Sequence, residues 1–203
     1  TIAIFGLTFV ADFVVFHGRE NLDKIYAQKK GILGLSAHLG NWEFTTTALG
    51  LLGYQVAAVV KQLRQDSAQQ FMLEHRKKHL AILSGKHIIK DVLKQLKLGS
   101  IVGIVLDQHG IRSESVQVPF FGRQAWTLKG LAVLAKRTGC PVLPIYTYRD
   151  KHDRHHIVVC PEIELSPEDT IETATLKYTL WLESVIRQHP EQWIWTHNRW
   201  KTN

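Results

Sequence analysis

Two short apolar runs constrain this chain more than any other feature. Gly31-Ile-Leu-Gly-Leu-Ser36 and Ile101-Val-Gly-Ile-Val-Leu106 are each of strand length and do not alternate polar with apolar residues. Successive side chains of a strand point to opposite faces, so strands apolar throughout must be covered on both faces. Helical patterns surround them. Asn41–Leu52 reads as a helix ended by Gly53, and Ile88, Ile89, Val92, Leu93 and Leu96 recur at helical spacing before a C′ glycine, Gly99. Further strands are predicted at Phe13–His17, Val56–Val60, Val142–Tyr148 and His156–Val159. Further helices are predicted near Asn21–Gln28, from a Ser67/Gln70 capping box to His79, over Thr127–Arg137, and over Ile171–Gln188 before Pro190. This alternation predicts an α/β domain with a mixed, largely parallel sheet flanked by helices. No repeat or linker divides the 203 residues, so a single domain is expected over 1–203.

Apolar residues make up 45% of the chain and charged residues 21%, which excludes a disordered tail or a fibre. The two cysteines, Cys140 and Cys160, each precede a proline in an apolar run and read as reduced core thiols, implying a reducing compartment. The net charge of +7 is uneven. Residues 61–97 carry nine basic and three acidic side chains, and residues 98–137 five and two. Such a stretch faces nucleic acid, anionic lipid or an acidic carrier protein, or is a solvated helix face. The chain opens inside an apolar run, Thr1–Phe16, broken by Asp12. It lacks a signal peptide's basic start and is shorter than the ~20 residues a membrane-spanning helix needs. It reads as the tail of a helix, and the natural protein is expected to be longer at this end.

In parallel sheets chemistry gathers at the carboxyl ends of strands, and polar groups follow both apolar runs. After the first comes Ser36-Ala-His-Leu-Gly-Asn-Trp-Glu43. His38 and Glu43 are five apart, which on one continuous helix would turn them away from each other. With His38 in the turn, Gly40 bending the backbone and Glu43 in the first helical turn, they can meet. Glu43 would then hold the imidazole Nδ1–H while Nε2 takes a proton from a hydroxyl, and the helix start would stabilise an oxyanion. Spacing alone favours the plainer reading, a helix cap with an incidental histidine. Asp107-Gln108 follows the second run and can bind substrate or brace a loop.

Five ordered blocks carry a resemblance: SAHLGNWE, LDQ at 106–108, VPFFGRQAWT at 118–127, GCPVLP at 139–144 and QWIWTHNRWKT at 192–202. Together they closely resemble the bacterial lipid A biosynthesis acyltransferases, over nearly the whole chain. The resemblance implies a fold similar to that of the glycerol-phosphate acyltransferases. It also implies transfer of a fatty acyl chain from acyl carrier protein to a glycolipid hydroxyl at the cytoplasmic face of the inner membrane. It places a catalytic pair on His38 and Glu43 and substrate contacts on Arg76, Asp107, Gln108, Arg123 and Thr127. It further implies that a membrane anchor precedes this segment in the family. An acceptor such as a mannosylated inositol lipid is the alternative within the same chemistry.

Other features rank lower. His75 and His79 have a metal-like i, i+4 spacing, but Arg76, Lys77 and Lys78 lie between them and no third ligand follows, so no metal is expected. No phosphate-binding glycine loop is present, and no cofactor is expected beyond the acyl donor. His155-His156 reads as a surface turn. Trp193, Trp195, His197, Arg199, Trp200 and Lys201 suit a bilayer interface or an edge strand on the core. A non-catalytic basic domain binding membrane or nucleic acid would explain the charge. It would not explain a histidine and a glutamate bracketing a strand-to-helix turn, nor the acid at the next strand end, so nucleic acid is not an expected partner.

Overall fold

The structure, a computed structural model, describes residues 13–60 and 80–201. In chain order the elements are β1 (Val14–His17), α1 (Arg19–Tyr26), β2 (Ile32–Ser36), α2 (Trp42–Leu51), β3 (Val56–Val59), β4 (Ala81–Leu83), α3 (Ile88–Lys97), β5 (Ile101–Val105), β6 (Ser115–Phe120), β7 (Arg123–Leu128), α4 (Gly130–Thr138), β8 (Val142–Arg149), β9 (His155–Val159) and α5 (Ile171–Gln188). Seven strands form one sheet in the order β1-β9-β8-β2-β5-β3-β4. Every adjacent pair is parallel except β8 with β9. The α/β class and the mixed, largely parallel sheet are therefore as expected.

The two apolar runs are the central neighbours β2 and β5, and their side chains divide between two cores. Leu33, Leu35 and Val102 pack with residues of α3, α4 and α5 on one face. Ile32 and Ile101 pack with Leu22 of α1 and Phe44, Ala48 and Leu49 of α2 on the other. Both faces are covered, so neither strand needs a polar residue until its carboxyl end.

The predicted helix from Thr127 begins too early. Thr127 lies in β7, which pairs antiparallel with β6, and α4 starts at Gly130. Phe121 and Gly122 form a two-residue turn, both at positive φ (50° and 74°), the twist that tight hairpins need. Pro119 within β6 and a phenylalanine where asparagine or glycine is usual hid this hairpin from the sequence pattern. The Phe121 N–H donates to Glu183 Oε1 (2.8 Å), tying the turn to α5. The helix predicted over Ser67–His79 lies outside the described residues. The short β4 was not anticipated.

His155 and His156 are strand residues that follow the turn rather than forming it, and His156 is buried. Its ring stacks on Tyr148 (4.6 Å), and its Nε2 lies 3.0 Å from Asp150 Oδ2. Both cysteines are free thiols. Cys140 donates to the Lys30 carbonyl, and burial pushes the Cys160 thiol up.

Candidate active site

Strand register explains how the site assembles. Ser36 of β2 lies opposite Val105 of β5, so the residues two places beyond each, His38 and Asp107, emerge side by side. The Asp107 Oδ1 lies 2.8 Å from His38 Nδ1 and accepts the His38 backbone N–H at 3.1 Å. Its Oδ2 accepts the indole N–H of Trp193 at 2.8 Å. Asp107 is 1% exposed, whereas the His38 side chain is 17% exposed. Burial alone would raise the Asp107 carboxyl. The hydrogen bond and charge of His38, with the bonds from Trp193 and the His38 backbone, more than offset it and hold the group below the usual carboxylate range. A carboxylate at Nδ1 sets the neutral tautomer of His38: Nδ1 carries the hydrogen, and Nε2 keeps its lone pair.

This corrects the expected pairing, because the carboxylate at Nδ1 belongs to Asp107 and not to Glu43. Sequence spacing showed Glu43 close along the chain. Only the adjacency of β2 and β5 brings Asp107, 69 residues away, to the ring. Glu43 stands in the first turn of α2. Asn41 caps that helix, accepting the Phe44 N–H, and the Trp42 ring meets His38 edge-on at 4.8 Å. The turn between depends on Gly40, at φ 55°. A Cβ there would come within 2.5 Å of the Thr147 carbonyl oxygen on β8.

The segment from His189 to Lys201 packs on the His38 loop and the β6–β7 hairpin. Ile194 N–H donates to the His38 carbonyl, and Gly40 N–H to the Gln192 carbonyl. His197 Nε2 accepts the His109 N–H at 2.9 Å. Arg199 is fully buried. It donates to the Trp126 carbonyl and the Thr127 hydroxyl, with its guanidinium 4.9 Å from the Phe120 ring centre. Burial lowers the guanidinium to about 10 against the pull of Asp107, so it stays charged at neutral pH. Trp193, 4% exposed, and Arg199 point inward, while Trp195, 56% exposed, points out. One aromatic–basic run therefore serves the core and the surface. It is no edge strand of the sheet: it meets the loop after β2 in an isolated antiparallel bridge at Leu39–Trp193.

Of the other expected contacts, Gln108 follows Asp107 and is partly exposed. Arg123 is exposed, its guanidinium 5.2 Å from the Trp200 ring centre. Thr127 is fully buried, its hydroxyl taken by Arg199. Arg76, His75 and His79 lie outside the described residues. Trp42, Trp193 and Arg199 had not been placed in the site. The tryptophan and arginine of QWIWTHNRW were visible, but nothing in their spacing named Asp107 as a neighbour. A cavity of about 460 Å³ opens beside the turn, lined by Gly40, Asn41, Arg149, Asp150, His155 and Gln192. Gln192 clasps the Arg149 backbone, and Asp150 holds Arg154 and His156, so most of its polar groups are committed.

A sequence model of the family described as bacterial lipid A biosynthesis acyltransferase matches residues 1–202. The chain belongs to this family. Among curated members, the lipid A biosynthesis lauroyltransferase of Escherichia coli K12 is 31% identical over 193 residues, 91% of this chain and 61% of its own length. The lipid A biosynthesis palmitoleoyltransferase of the same strain is 25% identical over 187 residues, 91% of this chain and 60% of the relative. The phosphatidylinositol mannoside acyltransferase of Mycobacterium tuberculosis is 22% identical over 190 residues, 92% and 60%. This lipid A acyltransferase family chain thus spans about three fifths of the length of the relatives it matches. Among the described residues, no helix is long and apolar enough to cross a membrane.

Proposed function

We propose that this chain carries the catalytic centre of an O-acyltransferase that moves a fatty acyl group from acyl carrier protein to a hydroxyl of a lipid A precursor. The observation that carries the reading is the His38–Asp107 pair at the carboxyl ends of adjacent strands, in a chain of this family. His38 Nε2 takes the acceptor hydroxyl proton as the oxygen attacks the thioester carbonyl. The resulting oxyanion is stabilised near the N-terminus of α2, whose dipole is positive there. Collapse expels the thiolate, which recovers the proton from His38. Asp107 stays ionised and stabilises the imidazolium between these steps. Glu43 sits at the start of α2, where its charge also favours the imidazolium, and Arg76, Gln108 and Arg123 serve as substrate contacts. Thr127 supports the site through Arg199. None of these steps draws on a metal or nucleotide, so activity should survive EDTA. Loss on chelation with rescue by zinc would redirect attention to His75 and His79.

The reading extends to a membrane partner and to the cytoplasmic face of the inner membrane. Ile111 and Trp195 support the membrane partner: both are largely exposed, on the two segments that also carry Asp107 and Trp193. Lipid A precursor is preferred over a mannosylated inositol lipid because of the higher identity to the lauroyltransferase. Mass spectrometry of lipids from cells expressing the protein, beside cells expressing His38→Ala, tests the assignment. A new acylated glycolipid that requires His38 supports it, and unchanged lipids with the wild-type protein reject it.

A further inference from the structure

The Asp107 carboxylate has two oxygens with different partners. Oδ1 serves His38 through both the ring and the backbone N–H. Oδ2 accepts the indole N–H of Trp193. A carboxylate held on one oxygen can swing about its Cβ–Cγ bond, whereas a donor on the second oxygen fixes its plane. Trp193 is well placed to supply such a donor. It pairs with Leu39 in the same loop as His38, and its neighbours on either side bond that loop at the His38 carbonyl and the Gly40 N–H. Its ring is wedged between Phe120 (5.8 Å) and Trp195 (4.6 Å). Further along the segment, Arg199 and Trp200 bond the β6–β7 hairpin. The indole N–H is thus delivered by a segment anchored both to the His38 loop and to the hairpin.

We propose that Trp193 is a positioning residue: its N–H fixes the Asp107 carboxylate in the plane that orients His38, making the site a Trp193–Asp107–His38 chain. The catalytic consequence rests on the reading of His38 as the base, but the chain itself does not. The donor also draws charge from the carboxylate, so its loss leaves Asp107 a stronger partner for the imidazolium, and His38 becomes more basic. Among the described residues, Arg199 and His197 of the C-terminal segment couple to Asp107, the His109 N–H of the loop after β5 bonds His197, and Glu43 stands in the first turn of α2 beyond the His38 turn. Trp193→Phe removes the indole N–H together with part of a buried ring, so a second Trp→Phe variant is needed to separate the lost donor from lost packing.

The test compares Trp193→Phe with Trp181→Phe in the full chain. The latter removes a tryptophan that packs on Tyr146, away from Asp107. The His38 titration is followed by NMR of the imidazole, alongside steady-state acyl transfer. For Trp193→Phe we expect the His38 midpoint to rise by about half a pH unit or more. The acid limb of kcat/KM should move with it, and kcat should fall ~10-fold with KM within ~2-fold. Trp181→Phe should leave the midpoint and kcat unchanged, even with a comparable loss of Tm. A His38 midpoint that stays put in Trp193→Phe, or moves equally in both variants, overturns the proposal. A selective shift in a protein that transfers no acyl group upholds the chain and rejects the acyltransferase reading.

Discussion

At the residue scale, His38 and Asp107 divide one task between an exposed and a buried group. The ring must reach a substrate, so it keeps partial exposure. The acid must stay charged without solvent, so three hydrogen bonds compensate its burial. His38→Ala should lower acyl transfer by ~10²–10⁴-fold, with little change in Tm, measured on purified protein. A large fall in Tm with unchanged turnover would instead mark His38 as a cap of its turn. Asp107→Asn keeps the shape but removes the charge that stabilises the imidazolium, and should cost ~10²-fold or more in kcat. Arg199 is a buried cation of a different kind, because its hydrogen bonds go to a carbonyl and a hydroxyl of β7. Arg199→Ala would remove both charged hydrogen bonds, leaving the Trp126 carbonyl with the Gly110 N–H alone, and should lower stability by about 2–3 kcal/mol in denaturant unfolding.

At the element scale, α5 shows how local chemistry sets a helix boundary. Thr170 and Thr173 form a reciprocal capping box. Asp169 just before it binds Lys177 Nζ at 2.6 Å and the Ser166 N–H at 2.6 Å. Lys177 first, and then Ser166, hold this carboxyl at about 2. A depressed folded value stabilises the native state above the unfolded value near ~3.9, and that contribution fades as pH falls towards about 2. Asp169→Asn should therefore show a Tm deficit at pH 7 that closes between pH 4 and pH 2. A deficit constant with pH would show that shape, not charge, matters there. Thr170→Ala should cost ~1 kcal/mol at any pH in that range. The α5 limits, Ile171 to Gln188, were legible in advance because the cap, the apolar period and Pro190 are all local signals. The β6–β7 hairpin was not, because its turn relies on Phe121 at positive φ, held from outside by α5.

At the scale of the whole molecule, topology sorts the basic surface. Lys77, Lys78, Lys86, Lys90, Lys94 and Lys97 belong to the basic stretch 61–97, whose charge suits an acidic carrier or an anionic lipid. Helix α3 returns from the carboxyl end of β4 to the amino end of β5, a span of about 15 Å for its ten residues. Lys86 and Lys90 therefore stand at the site's end of the sheet, and Lys94 and Lys97 at the far end. Lys77 and Lys78 lie outside the described residues. Exposed charges act mainly on encounter and are screened over ~8–10 Å. The double variant Lys86→Glu/Lys90→Glu should raise KM at low salt, leave kcat nearly unchanged, and converge on wild type at high salt. Lys94→Glu/Lys97→Glu should do much less. Equal, salt-independent effects of the two pairs would reject steering and indicate loss of α3 itself.

The sequence by itself determined the class of the fold and one end of its chemistry. Apolar runs of strand length demand a sheet covered on both faces, and the glycine-bent turn after one of them puts His38 at a strand end; both are short-range properties of the chain. The partner of His38 was decided by tertiary structure alone. Glu43 is near in sequence, but Asp107 is near in space, because β2 and β5 lie side by side in a register that local preferences do not encode. The same holds for Trp193 and Arg199. Their residue types were visible in an aromatic and basic run, yet which of them turned inward depended on where the last segment meets the His38 loop and the β6–β7 hairpin. Burial against distant elements is a property of the packed molecule, and it converts a surface-like motif into support for a buried carboxylate.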